Sequence, residues 1–263
     1  MFKKRVFIIS LVFVLISTCA LIGSTQTKEV RNEIDFPSDG DIFVKNRNGK
    51  IFVSGWEKEK IEVYAEIEVK NRSRREAEEI FEKIDITVDK TGNRVHIEAE
   101  VPRDNRSSFW DWIFGGNGAV VVNYMIKVPQ KSNLDLHSTN GRIEVDNVNG
   151  RSNLATTNGS IEAEKMKGSL DAHTTNGSIR AVVGDFKRSD SIDMKTTNGS
   201  IRLTLSSEVQ ADVRASTVNG AISTDFPITV QGKFIGKNVN GEINGGGGRI
   251  YLKTVNGSIS IYN

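Results

Sequence analysis

One short pattern limits this chain more than anything else in it. Ser138-Thr139-Asn140-Gly141-Arg142-Ile143 returns with small changes from Thr156, Thr174, Thr196, Thr217, Asn238 and Thr254. Asn140, Asn158, Asn176, Asn198, Asn219, Asn240 and Asn256 therefore hold one position of a repeat, at spacings of 18, 18, 22, 21, 21 and 16 residues. Repeats of about this length mark stacked architectures. The flanks alternate as well. Leu134, Leu136 and Ser138 lead into the first Asn-Gly, and Ile143 and Val145 follow it. Leu170, Ala172 and Thr174, then Ile179 and Ala181, do the same around Asn176. Alternation with period two on both sides of a turn reads as two half-buried strands joined by a corner.

Two all-β architectures satisfy that pattern. Asn-Gly favours a type I′ hairpin, whose turn residues both need positive φ, and a series of such hairpins is an antiparallel meander. Alternatively each unit is one coil of a single-stranded β-solenoid, with like residues stacked about 4.8 Å apart. A meander needs the Asn-Gly but not the Thr before it. Stacked Thr and Asn can hydrogen-bond from coil to coil, as amides do in cross-β ladders, so the solenoid is expected, with these seven asparagines as turn and ladder residues. One unit buries four or five aliphatic side chains, each contributing roughly 1.5–3 kcal/mol. Ordering its backbone costs about 1–2 kcal/mol per residue, so a unit should fold only in a stack.

Asn48-Gly49, with Ile42, Val44 and Asn46 before it and Ile51 and Val53 after, matches the same frame. An isolated unit thus precedes an insert at 60–130, and regular coils occupy 131–263. Within the insert, Lys60 to Val69 alternates as a strand and Ser73 to Ile84 reads as a helix. Ser73 and Glu76 have capping-box spacing, and Ala77, Ile80, Phe81 and Ile84 share a face. Further strands are expected near 85–88, 95–101 and 119–128. Residues 25–34 are expected to be a linker.

The first 24 residues read as an export signal. Lys3, Lys4 and Arg5 precede the apolar run Val6 to Gly23, 18 residues long. That is a secretory pattern, at the low end of what spans a bilayer. Three fates fit: cleavage near residues 18–24, retention as an N-terminal anchor, or lipidation of Cys19, since Leu15-Ile16-Ser17-Thr18-Cys19 resembles a lipobox. Each places the remainder outside the cytoplasm.

The order of parts resembles a known family. An N-terminal signal, an isolated Asn-Gly unit, a strand–helix–strand insert, Val128-Pro129 and then T-x-N-G-x-I coils resemble the bacterial putative-adhesin family of exported envelope proteins. They are also similar to the head domains of autotransporter adhesins. The resemblance spans roughly residues 35–263. It implies an exported β-helix without established catalytic residues, and "adhesin" transfers only as fold analogy.

Composition narrows the chemistry. Net charge is +2, from 35 basic and 33 acidic residues, which offers no electrostatic case for nucleic acid. One Cys and three His exclude a disulfide framework and a Cys/His zinc site. Asp135, Asn153, Asp171 and Asp193 share the position five before the repeat Asn; His137, Ala155, His173 and Lys195 share the position three before it. Both face outward by parity. Such a carboxylate column could take Ca²⁺, and by fold analogy acidic clusters on β-helices serve polysaccharide-cleaving enzymes. The reading favoured here is a solvated face on which Asp neighbours His or Lys, with no catalytic, metal or cofactor site.

Phe109, Trp110, Trp112, Ile113 and Phe114 lie in a Gly-flanked loop and form a candidate contact for a membrane, protein or sugar partner. The Asn-Gly-Ser sequons are read as turn and strand residues, not glycan acceptors, and Asn-Gly is also the dipeptide most prone to deamidation. Gly245 to Gly248 reads as a loosened turn. The chain ends on a strand, so its last coil is expected to expose an edge that invites self-association. The function expected is a non-enzymatic exported envelope protein, adhesin-like or scaffolding, with an unknown envelope protein or glycan as partner. A carbohydrate-active enzyme is the alternative, and an accessory to envelope-stress signalling a further one.

Overall fold

A computed structural model describes residues 25–100, 120–230 and 237–263. Cys19 and the aromatic segment Phe109, Trp110, Trp112, Ile113 and Phe114 lie outside the described residues. The protein is all-β, and the described residues form one helix and two long mixed sheets of ten and eleven strands. In chain order the first elements are β1 (Gln26–Asp35), β2 (Asp41–Asn48), β3 (Ile51–Trp56), β4 (Lys60–Val69), α1 (Arg74–Lys83), β5 (Asp85–Thr91), β6 (Arg94–Glu100) and β7 (Val120–Pro129). The repeat region follows with β8 (Asn133–Asn140), β9 (Ile143–Asp146), β10 (Ser152–Asn158), β11 (Ile161–Lys167), β12 (Leu170–Asn176), β13 (Ile179–Asp185), β14 (Ser191–Asn198) and β15 (Ile201–Leu205). It closes with β16 (Ala211–Asn219), β17 (Ile222–Thr224), β18 (Ile228–Val230), β19 (Asn238–Ile243), β20 (Gly248–Asn256) and β21 (Ile259–Tyr262).

Seven Asn-Gly units, at Asn48, Asn140, Asn158, Asn176, Asn198, Asn219 and Asn256, each give one strand to each sheet. The two strands flanking a corner do not pair with each other; each pairs in parallel with its counterpart in the next unit. Leu154 sits between Leu136 and Ala172, and Ile161 between Ile143 and Ile179. This pattern rules out the hairpin meander. None of the seven stacked asparagines has positive φ, so the type I′ explanation of Asn-Gly also fails.

The glycine is needed for a different reason. A Cβ on Gly177 would lie 2.0 Å from the carbonyl oxygen of Gly159 in the neighbouring rung, and one on Gly199 would lie 2.0 Å from that of Gly177. Only a residue without a side chain lets the corners stack this closely. The preceding Thr completes the corner. Thr156, Thr174 and Thr196 point inward, and their hydroxyls donate to the carbonyls of Gly141, Gly159 and Gly177 at 3.0, 2.9 and 2.8 Å. Outside the corner, Asn140, Asn158, Asn176 and Asn198 form an amide ladder in which each Nδ2 donates to the Oδ1 of the rung before it at 2.7–2.8 Å.

The core lies between the sheets as columns of like residues. Ile51, Ile143, Ile161, Ile179, Ile201 and Ile259 are all buried in one file. Val44, Leu136, Leu154, Ala172, Met194 and Leu252 face them from the other sheet. The insert covers one end of the stack. There β7, β4 and β1 extend the ten-stranded sheet, and β6 and β5 extend the other. The capping box on α1 is present, with Ser73 and Glu76 bonding reciprocally, and Ala77 and Ile80 are buried.

Three expectations are corrected. Residues 25–34 are not a linker: β1 pairs antiparallel with β4 along its whole length. The alternation Val30, Asn32, Ile34 was obscured because the middle inward position is polar. Asn240 is not a ladder residue. It lies inside β19, which runs antiparallel to β16 and sets Asn240 opposite Arg214. Finally, the terminal unit is not the end of the stack. β20 and β21 insert between β14/β15 and β16/β17, so β21 is paired on both edges, and the rung formed by residues 211–224 is the last two-stranded rung, with β19 and β18 beyond it in the eleven-stranded sheet alone.

Replacing Gly177 by Ala should destabilise the protein by about 1–3 kcal/mol through overpacking against a backbone carbonyl. Gly184→Ala, where an added Cβ meets nothing within 4 Å, should stay within about 0.5 kcal/mol of wild type. Urea midpoints of the two variants check this.

Candidate functional site

The outward face of the eleven-stranded sheet carries the two columns picked out by sequence parity. Phe43, Asp135, Asn153, Asp171, Asp193 and Tyr251 are in register on successive strands, and Lys45, His137, Ala155, His173, Lys195 and Lys253 form the file beside them. The strands bring each carboxylate next to the His or Lys side chain two residues on. His137 Nε2 lies 2.7 Å from Asp135, Lys195 Nζ donates to Asp193 at 2.6 Å, and His173 meets Asp171. Asn153 donates to Asp135 at 2.8 Å and separates it from Asp171. Lys195 also lies over the Tyr251 ring, 5.0 Å from its centroid.

Each carboxylate of the file therefore has a polar partner within the face. Asp171 is the exception in its electrostatics. Partial burial pushes its carboxyl above the ordinary aspartate range and the neighbouring Asp193 adds to the rise, while His173 and Lys195 oppose it. Among the described residues no group of three His, Cys, Asp or Glu side chains could hold a metal ion.

A shallow groove of about 410 Å³ runs across this face, lined by His137, Ala155, His173 and Lys195 together with Thr157, Thr175 and Thr197. Its depth has a simple origin. Ala155 stands in register between His137 and His173, and its lack of a longer side chain leaves a notch between the two imidazoles. The threonine wall was missed by sequence reasoning, which treated the Thr-Thr doublet as one ladder element. The signal was present: in a strand, adjacent residues face opposite ways, so Thr156 turns inward while Thr157 faces out.

The opposite outward face, on the ten-stranded sheet, is a network of ion pairs. Arg142 reaches Glu144 at 3.2 Å and Glu162 at 3.7 Å, and Arg180 reaches Glu162 at 3.5 Å and Glu164 at 3.6 Å. Exposed pairs of this kind contribute little individually. They do match unlike charges along rungs whose side chains would otherwise repel. Sequence reasoning did not find this network either, because its residues vary in identity from unit to unit.

A family model, Toastrack DUF4097, matches residues 35–262. The chain belongs to the Toastrack family. The matched range begins at the last residue of β1 and includes every rung of the stack. Among solved structures, this Toastrack protein is similar to a "putative cell adhesion protein" from Clostridium sporogenes, at 14% identity and a TM-score of 0.53, over 90% of this chain and 99% of that one. It is also similar to a "putative adhesin" from Bacteroides fragilis, at 9% identity and a TM-score of 0.39, over 89% and 96% of the two chains. At such identities the likeness to the Clostridium protein shows a shared fold. No curated protein matches the sequence.

The position of Asp171 gives a pH prediction. A carboxylate whose folded pKa is raised binds more protons folded than unfolded, so its contribution to stability falls as pH rises above the ordinary aspartate value. In a carbon-detected NMR titration, the Asp171 carboxyl should titrate above that value. Asp193→Asn should move it downward by removing the like charge. An unshifted Asp171, or an upward move in the variant, would contradict the account.

Proposed function

We propose that this Toastrack protein is a non-enzymatic, exported envelope protein whose stacked rungs form a two-sheet solenoid and act as a rigid adhesin-like or scaffolding surface. The observation that carries the reading is the outward face of the eleven-stranded sheet. Seven rungs in register hold it rigid, and its groove is shallow and rimmed by alternating hydroxyl, imidazole and ammonium groups. Regular stacks of this type offer extended binding surfaces. A groove lined by hydroxyls and partly neutralised charges suits hydrogen bonding to a long polar ligand, such as an envelope polysaccharide or an extended polypeptide.

Export rests on the basic residues and apolar run that open the chain. The adhesion-related names of the structural neighbours agree with it as analogy. The carboxylates of the face are engaged by neighbouring His and Lys side chains and lie on an open surface. This arrangement favours charge matching over general acid and base roles, which need a carboxyl pair flanking a held substrate.

The test uses the full chain. Purified protein should be captured by envelope polysaccharide or by envelope-fraction proteins without releasing new reducing ends. Thr157→Glu combined with Thr175→Glu should weaken capture by about tenfold or more while leaving the unfolding midpoint close to wild type. Release of reducing ends that Asp171→Asn and Asp193→Asn abolish would replace this reading with the enzymatic one.

A further inference from the structure

The corners of the stack have a direction. The N–H of each corner glycine donates to the carbonyl of the asparagine one rung nearer the β16/β17 end. Gly141 donates to Asn158, Gly159 to Asn176, Gly177 to Asn198, and Gly199 to Asn256, each at 3.0 Å; Gly257 donates to Asn219 at 3.1 Å. At the opposite end Gly49 still has a partner, donating to Asn140 at 2.9 Å. Because every donor points the same way, only the outermost rung lacks a rung to receive it. Among the described residues, Gly220 N–H donates to no backbone carbonyl.

The side-chain ladder ends at the same place. Asn256 Nδ2 donates to Asn198 Oδ1, and Asn219 Nδ2 donates to Asn256 Oδ1, both at 2.8 Å. Asn140, Asn158, Asn176, Asn198 and Asn256 are thus clamped by amide bonds on both sides, whereas among the described residues Asn219 is held on one side only.

These two features bear on one reaction. In deamidation the backbone nitrogen following an asparagine loses its proton and attacks the side-chain Cγ. The Cγ–Nδ2 bond breaks, the side-chain nitrogen leaves as ammonia with that proton, and a cyclic imide forms. Water then opens the imide to aspartate or isoaspartate. The reaction needs a glycine N–H free to ionise and a carboxamide free to rotate over it. Interior corners withhold both until the rung opens locally. Here we infer that Asn219-Gly220 is the site at which spontaneous deamidation of the ladder begins, and that the reaction advances inward from it.

Conversion at Asn219 removes the donor to Asn256 Oδ1. Isoaspartate also lengthens the main chain at the carbonyl that receives Gly257 N–H, which frees the next corner. The order is therefore Asn219, then Asn256, then Asn198. It differs from both the order of the chain and its reverse, because the C-terminal unit is inserted beneath the rung that carries Asn219. The ladder acts as a directional record of age, with negative charge accumulating from one end.

The experiment uses the wild-type full chain in warm, mildly alkaline buffer below its unfolding transition. Peptide-resolved mass spectrometry with isoaspartate-specific methylation follows the seven stacked sites Asn48, Asn140, Asn158, Asn176, Asn198, Asn219 and Asn256. Asn219 should deamidate roughly tenfold or more faster than the other sites at early times, with Asn256 next. In strong denaturant the same sites should converge, since only the fold separates them. Equal native rates, an interior site that leads, or Asn256 ahead of Asn219 would overturn the inference, as would a lead for Asn219 that persists unchanged in denaturant.

Discussion

At each Asn-Gly corner the backbones of neighbouring rungs approach so closely that a single added carbon would collide with a carbonyl oxygen. That contact sets the rest of the structure. With the corners in register, the inward Thr hydroxyl can reach the glycine carbonyl of the adjacent rung, and the outward carboxamides can join edge to edge. Each hydrogen bond contributes only about 0.5–1.5 kcal/mol net. Their shared effect is to make one register far better than its neighbours, because a slip of one residue would turn every inward aliphatic side chain to solvent.

Register at the corners then propagates along both strands. It aligns the isoleucine file and the facing leucine, alanine and methionine file in the core. On the outside it aligns whatever side chains the sequence supplies, whether or not they would choose to be neighbours. Asp171 and Asp193 are adjacent for this reason, and His173 and Lys195 beside them offset the repulsion. Asn153 interrupts the acidic file between Asp135 and Asp171, and on the other face Arg142 and Arg180 both reach Glu162 from neighbouring rungs to similar effect. The groove is a product of the same alignment: a small residue in one rung becomes a notch between the larger side chains above and below.

The stack is open-ended by construction, and its two ends are treated differently. At one, β7 and β6 join the sheets in parallel and β4, β1 and β5 add antiparallel strands beyond them, which lengthens both sheets. At the other, β19 and β18 continue only the eleven-stranded sheet, while the ten-stranded sheet stops at the three residues of β17. Short edge strands of this kind limit sheet-to-sheet pairing. The repeat-like segment at Asn240 was recruited into this covering hairpin. Its flanking residues support strand formation in either direction, and antiparallel pairing with β16 decided between them.

Much of the molecule was determined by sequence alone. The period of the Asn-Gly units, the parity of their flanks and the doubled Thr identified the corners, the inward files and the outward Asp and His columns, because these depend on residue type and local alternation. Ser73 and Glu76 marked the start of the helix by the same local logic. Tertiary structure decided what depends on contacts between distant segments. It paired β1 with β4, so that residues read as a linker became an edge strand. It placed the C-terminal unit inside the stack and the unit bearing Asn219 at its end. It showed that the corner glycines serve close approach between rungs, and that the asparagines before them need no positive φ. Local pattern cannot carry that information, since the order of stacking follows from which surfaces bury one another and not from their order along the chain.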